Sequence, residues 1–290
     1  MKKVLLVCAV INMLTACGPT PQTKTLTYQN IVILSDMSSR INNRPLKDVT
    51  EIRKIVEHFK SECVKPGEKI GDKSSISFSV FSEKVAASID LSRFKKIGEK
   101  QQFINSTGKY ENTGLAKEIE NFENTVEQVY GRTQNKGLDL ISILIEKVEN
   151  EPIVKMNTYV TDGVDTTYIN YDNHIYVFTD GYLEYKSKQT NREFYFGIAE
   201  IEKVRRYCRE NDVDVEKALA NNRSLCLPLI KSPKNKHLNI HVLETHERDF
   251  DTHSQTYKYP KGLRDNEILE RVWRQWATES GFKSFEWRKY

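Results

Sequence analysis

The chain has 290 residues, of which 38% are hydrophobic and 29% are charged, so we expect a water-soluble globule rather than a disordered chain or a multi-span membrane protein. The 44 Lys and Arg residues are interleaved with 40 Asp and Glu residues, and this pattern indicates no basic surface for nucleic acid. The length suits one α/β domain with insertions.

Residues 1–16 have the layout of a secretory signal peptide. Lys2 and Lys3 provide a positive start, and the following residues to position 16 are mostly apolar. This apolar stretch is too short to span a bilayer as a helix. Its end, Leu-Thr-Ala-Cys at 14–17, resembles the lipobox of bacterial lipoproteins, which implies cleavage before Cys17 and lipidation of that residue.

Lipidation of Cys17 implies a protein tethered to the bacterial cell envelope by its lipid alone, because each buried methylene contributes about 0.8 kcal/mol. Residues 17–27 then combine the lipidated cysteine with a flexible linker of Pro and small polar residues. Gly18 replaces the Asp that retains many lipoproteins at the inner membrane, which favours the outer membrane, with the domain periplasmic or surface-facing. Removal of residues 1–16 lowers the formal charge from +4 to +2.

Three cysteines remain in the predicted mature chain: Cys63, Cys208 and Cys226. They allow at most one disulfide. Cys208 with Cys226 is the favoured pair, since both flank one predicted helical segment, and three buried thiols are the alternative.

The mature sequence alternates apolar runs with helical patterns. Period-two or continuous apolar runs predict strands at 30–35, 75–81, 84–91, 174–179 and 238–243. Apolar spacing predicts helices at 46–59, 114–130, 138–148, 198–220 and 266–279. This alternation predicts an α/β fold over residues 28–290, with three α/β/α layers around a mostly parallel sheet of Rossmann type.

Ligands bind such sheets beyond the carboxyl ends of the central strands. Asp36 follows the first predicted strand, with Ser38 two residues later, and Asp180 follows the strand at 174–179. Thr133 precedes a predicted helix. Carboxylate and hydroxyl oxygens suit Mg²⁺, so these four residues are candidate ligands for Mg²⁺ or Mn²⁺.

The order of these motifs, DMS at 36–38, GRT at 131–133 and TDG at 179–181, resembles the von Willebrand factor A (vWA) domain with its metal-ion-dependent adhesion site. The resemblance covers roughly residues 28–287. It implies an open coordination position on the metal that accepts an acidic side chain from a partner protein.

The resemblance also implies a role for each candidate ligand. Asp36 would hold the metal through a water, Ser38 would ligate it directly, Thr133 would ligate it directly or through a water, and Asp180 would act on it from farther away. Arg40 stands where the family pattern DxSxS has its second Ser. Its guanidinium would repel a divalent cation, or would pair with Asp36 or Asp180 in a metal-free site.

Two of these assignments have alternatives. Thr113, which also precedes a helical pattern, is an alternative to Thr133, and Asp162 of a second Thr-Asp-Gly triplet is an alternative to Asp180. With Asp180 as the site residue, 152–173 becomes an insertion near the site. Its Tyr159, Tyr168 and Tyr171 are then either contact aromatics or packing residues.

Other chemistries have weaker support. The histidines at 237, 241, 246 and 253 match no zinc spacing, and DMS after a strand lacks the second carboxylate of a DxD phosphotransferase motif. No nucleophile elbow, phosphate-binding loop or dinucleotide fingerprint is present in the sequence. We therefore predict a binding module rather than an enzyme, with no catalytic residues. The alternative is a metal-independent scaffold subunit of an envelope assembly.

Overall fold

The computed structural model describes residues 22–37, 45–67, 73–132, 139–161, 165–185 and 194–290. The chain divides into two compact units, one of residues 1–27 and 156–171, the other of residues 28–155 and 172–290. The larger unit carries every described site residue discussed below.

The central element is a seven-stranded mixed sheet. Its strands are β1 (Thr23–Ser35), β2 (Ser75–Val80), β3 (Ala87–Asp90), β4 (Thr158–Thr161), β5 (Thr166–Thr179), β6 (Leu238–Glu244) and β9 (Ser284–Lys289). The order is β3-β2-β1-β5-β6-β9, and β4 pairs with β5 outside this path. β2 runs parallel to β1, and β6 and β9 continue parallel to β5, whereas β3 and β4 are antiparallel to their partners. β7 (Phe250–Asp251) and β8 (Thr256–Tyr257) form a separate short hairpin.

Helices cover both faces of the sheet. They are α1 (Pro45–His58), α2 (Ile97–Ile104), α3 (Leu115–Arg132), α4 (Leu140–Asn150), α5 (Ile198–Asn211), α6 (Val215–Asn221) and α7 (Asp265–Ser280). The first three pack in one hydrophobic core, and α4 to α7 pack in a second core on the opposite face. None of the helices in the described ranges combines the length and the apolar character needed to cross a bilayer.

The strand sequences account for this layering. Val32 and Leu34 of β1 enter one core, and the alternating residues Ile31 and Ile33 enter the other. A strand buried on both faces needs apolar side chains at consecutive positions, as this run provides. The predicted three-layer α/β/α fold with a mostly parallel sheet is confirmed.

Several elements differ from the sequence prediction, which gave neither the helix α2 nor the strands β4, β7 and β8. The helical segment predicted at 198–220 is divided into α5 and α6 by Asp212, which has a left-handed φ of 53°, and by Asp214, which caps α6 by accepting a hydrogen bond from the Lys217 amide at 2.8 Å. The carboxyl-terminal segment adds β9, a strand that we did not predict. Its polar and half-exposed residues lack the continuous apolar run that identified the central strands.

The tyrosines of the predicted insertion belong to a hairpin. Tyr159 of β4 pairs with Tyr168 of β5, and their ring centroids lie 6.3 Å apart. This hairpin forms at the start of β5, whereas Asp180 follows the last residue of that strand.

No disulfide joins the described cysteines of the larger unit. Cys63 and Cys208 are buried, and Cys226 is half-buried. Of the two alternatives, the structure agrees with thiols and not with a disulfide between Cys208 and Cys226. Burial raises the pKa of the Cys208 and Cys226 thiols, so each is held as a neutral, weakly reactive group.

Candidate functional site

The candidate site lies where the strand order changes direction. From β1, the chain continues to β2 and β3 on one side, and from β5 it continues to β6 and β9 on the other. The crevice beyond the carboxyl ends of two such strands is the usual ligand position in open α/β sheets. Asp36 follows β1 and Asp180 follows β5, and they are only 3% and 5% exposed.

Backbone and hydroxyl groups join the two strand ends. The Asp36 amide donates to the carbonyl of Phe178 at 2.8 Å. The Thr179 hydroxyl donates to Asp36 Oδ2 at 3.2 Å and accepts from the Gly181 amide at 3.1 Å. The Thr179 carbonyl accepts from the Thr245 amide, beyond the end of β6, at 3.0 Å. Asp36 is therefore held in register with the ends of both neighbouring strands.

Arg248 is the cation that balances Asp180. Its Nε and Nη2 lie 2.8 and 2.7 Å from Asp180 Oδ2, and its Nη1 lies 2.6 Å from Oε2 of Glu184. The second Asp180 oxygen, Oδ1, accepts from the Tyr182 amide at 3.2 Å. A guanidinium that contacts two carboxylates in this way fixes the loops after β5 and β6 against each other.

The electrostatics of this group favour its ionised form. Burial opposes the charge of the Arg248 guanidinium, but the carboxylates of Asp180 and Glu184 outweigh that effect and raise its pKa. The guanidinium also lies over the Tyr182 ring, 3.9 Å from its centroid. His246 Nε2 lies 3.7 Å from Asp180 Oδ2, so a protonated His246 would add a second cation beside this carboxylate.

Tyr182 connects the site to a second buried ion pair. Its hydroxyl donates to Asp265, the first residue of α7, and Arg205 of α5 forms an ion pair with the same carboxylate. Burial, followed by the bond to Asp265, raises the pKa of Tyr182 well above its ordinary range, so the phenol stays protonated. The Asp265 amide in turn donates to Asp249 Oδ2 at 3.0 Å.

Gly181 occupies a position that no other residue fits. Its φ is +85°, in the left-handed region, and a Cβ at this position would lie 2.4 Å from the Trp287 ring. Its carbonyl accepts from the Trp273 indole at 2.9 Å. The turn after Asp180 is thus packed directly against two tryptophans of the carboxyl-terminal segment.

Of the residues predicted for the site, the structure brings Asp36 and Asp180 together. Ser38, Arg40, Thr133 and the alternative Asp162 lie outside the described residues, as do Cys17, the predicted signal peptide and residues 18–21 of the predicted linker. Residues 23–27 of that linker belong to β1.

Thr113 lies away from these strand ends. Near the end of α3, the Tyr130 hydroxyl is 2.7 Å from the hydroxyl of Ser35, the residue before Asp36. Thr113 precedes the start of the same helix, which is about 20 Å away along an axis that rises 1.5 Å per residue. The alternative assignment of Thr113 to the site is therefore wrong.

The described residues do not by themselves make a magnesium site. Within the described ranges, no group of three or more His, Cys, Asp or Glu side chains is arranged to hold a metal ion. Both oxygens of Asp180 already accept hydrogen bonds, and the guanidinium of Arg248 places a positive charge beside them. A divalent cation near Asp180 would have to overcome that charge.

Sequence reasoning missed Arg248, Glu184 and Tyr182. Arg248 is separated from Asp180 by 68 positions, and in the sequence it is one of many alternating charges. Arg248 lies in the loop after Glu244, the last residue of β6, so the strand-end rule points to this loop as well.

No protein-family model matches the chain, and no curated protein matches it either. The account of the site therefore depends on the fold and the geometry described above.

Replacement of Gly181 by Ala tests the turn. We expect Gly181→Ala to lower the free energy of unfolding by at least about 1–3 kcal/mol, because it combines a disfavoured φ with a clash against Trp287. The matched control is Gly131→Ala in the last turn of α3, where a Cβ meets nothing within 4 Å. That change should be neutral or stabilise by up to about 1 kcal/mol. Chemical denaturation measures both, and equal effects would contradict this role of Gly181.

Asp249 gives a pH-dependent prediction. Burial, with the charge of Asp265 as a further cause, raises its pKa above the ordinary 3.8, and its Oδ1 has no hydrogen-bond partner among the described residues. The folded state therefore binds this proton more tightly than the unfolded state, and stability falls as pH rises from 3.8 through the raised pKa. Asp249→Asn should be more stable than the parent at pH 7, with the difference shrinking toward pH about 4.

Asp251 provides a control of opposite sign for this measurement. It is exposed, and its hydrogen bonds from Ser254, together with the His253 amide, lower its pKa. Its contribution is present at neutral pH and is lost on acidification, so Asp251→Asn should not gain stability at pH 7. Denaturation curves from pH 4 to 7 that shift in the same direction for both variants would contradict the assignment.

Proposed function

We propose that this protein is a lipid-anchored binding module of the bacterial cell envelope with a vWA-like fold. Its contact face is formed by the strand ends at Asp36 and Asp180 and by the loop that carries Arg248. The partner is a protein, and the protein acts as a scaffold subunit of an envelope assembly.

The observation that carries this proposal is the Asp180–Arg248–Glu184 group beside Asp36 at the point where the strand order reverses. This position is where open α/β sheets bind ligands. Arg248 keeps about 21% of its side chain exposed although it holds two carboxylates. An exposed edge of a fixed guanidinium suits an acidic side chain on a partner protein.

The pairing of Asp180 with Arg248 favours a contact that does not depend on a metal. Such a contact corresponds to the metal-independent scaffold. In that scaffold Arg248 neutralises Asp180, in addition to Arg40 or in its place.

The Mg²⁺-dependent adhesion site is the second candidate. The position of Asp36 at the reversal point supports it, together with the resemblance of DMS, GRT and TDG to the vWA pattern. In that case Asp36, Ser38 and Thr133 would hold Mg²⁺ or Mn²⁺, and the ion would supply a Lewis-acidic position for an acidic side chain of the partner.

The membrane anchor is proposed from the sequence alone. The lipobox-like residues at 14–17 support cleavage before Cys17 and its lipidation, and Gly18 supports the outer membrane.

Isothermal calorimetry of the purified protein with Mg²⁺ and Mn²⁺ distinguishes the two kinds of contact. We expect no saturable binding in the parent protein, because Arg248 already neutralises Asp180. The matched variants are Asp36→Ala, which removes the principal candidate ligand, and Arg40→Ser, which restores the family hydroxyl.

Each outcome of this titration decides between the candidates. Saturable binding in the parent that Asp36→Ala abolishes would overturn the metal-independent contact in favour of the adhesion site. Binding gained only in Arg40→Ser would mean that the chain retains the frame of a metal site that Arg40 has closed, which supports the scaffold.

A further inference from the structure

A second cluster of titratable side chains lies on the sheet away from the strand ends. His174 and Tyr176 of β5 and His241 of β6 share one sheet face, because Tyr176 is opposite His241 in the register. The Tyr176 and His241 rings stack with centroids 4.6 Å apart and planes 15° apart. His174 Nδ1 and His241 Nε2 face each other at 2.9 Å.

The other two ring nitrogens each face a carboxylate. His174 Nε2 lies 3.2 Å from Asp172 Oδ2, and His241 Nδ1 lies 2.7 Å from Glu286 Oε2. Asp172 is itself held by Lys283 Nζ at 2.7 Å and by the side-chain amide of Asn239 at 2.8 Å. Each imidazole thus has a carboxylate beside its outer nitrogen.

The two facing nitrogens form a hydrogen bond whose donor depends on the tautomers of the two imidazoles. When both outer nitrogens donate to their carboxylates instead, a neutral imidazole has no second proton, and two lone pairs face each other across 2.9 Å. A metal ion between the two nitrogens fits that arrangement.

The charges around the pair favour a bound cation. The charged groups beside it are Asp172, Glu286 and Lys283, and Arg288 is paired with Glu51. Two nitrogen ligands beside an excess of one negative charge attract a cation.

We propose that His174 Nδ1 and His241 Nε2 bind a divalent transition-metal ion of the Zn²⁺ type. Imidazole nitrogen is a preferred ligand for Zn²⁺ and Ni²⁺, whereas Mg²⁺ prefers oxygen. Metal-binding histidines almost always donate their other N–H to a carboxylate or carbonyl, as Asp172 and Glu286 allow here. This site is distinct from the one at Asp36 and does not rest on the proposed function.

The geometry needs only a small change to admit the ion. Zinc–nitrogen bonds of about 2.0–2.1 Å at a tetrahedral angle place two nitrogens about 3.3 Å apart, a few tenths of an ångström more than in this structure. The His174 and His241 side chains are 22% and 15% exposed, which leaves access for an ion and for water ligands. With two protein ligands rather than three or four, the site is a weak one that water completes.

Calorimetric titration of the purified full chain with Zn²⁺ at pH 7 tests the site. We expect one saturable ion per chain, unaffected by excess Mg²⁺, with binding lost in His174→Asn and in His241→Asn. His253→Asn is the matched control, because His253 is exposed and distant in sequence, and it should bind like the parent. Circular dichroism confirms that each variant is folded.

Glu286→Ala keeps the test decisive if the histidine variants fail to fold, since Glu286 is an exposed residue of the edge strand. Loss of the carboxylate that orients His241 should weaken Zn²⁺ binding about 10–100-fold. Absence of saturable binding in the parent would overturn the proposal and leave a hydrogen bond as the contact between the two imidazoles. Binding that survives in His241→Asn, or that is lost in His253→Asn, would overturn it as adsorption to surface histidines.

Discussion

A carboxylate that is buried away from water must be paired with a cation or lose its charge, and Asp180 is paired with Arg248. Breaking a buried ion pair by removing one partner typically costs about 3–5 kcal/mol, because the other charge is left uncompensated. Arg248 also binds Glu184, so one guanidinium fixes the loops after β5 and β6 in a single arrangement. Asp36 is held beside these loops because its carboxylate accepts a hydrogen bond from the hydroxyl of Thr179, the last residue of β5.

The carboxyl-terminal segment packs against the turn that follows Asp180. Trp273 of α7 donates to the Gly181 carbonyl, and Trp287 of β9 fills the space that a side chain at Gly181 would need. Trp287 also donates to Glu244 at 2.7 Å, at the end of β6. Burial raises the pKa of Glu244, although this hydrogen bond opposes the shift. The site thus depends on strands and helices from both ends of the larger unit.

The sequence alone predicted the three layers of the fold and two residues of the site, Asp36 and Asp180. Continuous apolar runs identify buried strands because both faces of β1, β5 and β6 are covered, and the strand-end rule then places Asp36 and Asp180 at one edge. The same reasoning missed β9, since an edge strand with a half-exposed face has no such run.

The local sequence pattern did not predict which side chains pair across long stretches of the chain. The guanidinium of Arg248 reaches Asp180 across 68 positions, and the strand-end rule points to its loop without identifying the carboxylate that it pairs with. The histidine pair is similar, because His174 and His241 meet only through the parallel register of β5 and β6. The sequence left the disulfide open, because flanking a helical segment does not by itself bring two thiols together.

A double-mutant cycle on Asp180 and Arg248 tests the central claim most directly. The free energy of unfolding is measured for Asp180→Asn, Arg248→Met and the double variant. If the pair organises the strand ends, the two changes are coupled by at least about 1.5 kcal/mol, and the double variant is less destabilised than the sum of the two single variants. Effects that add to within about 0.5 kcal/mol would contradict the account.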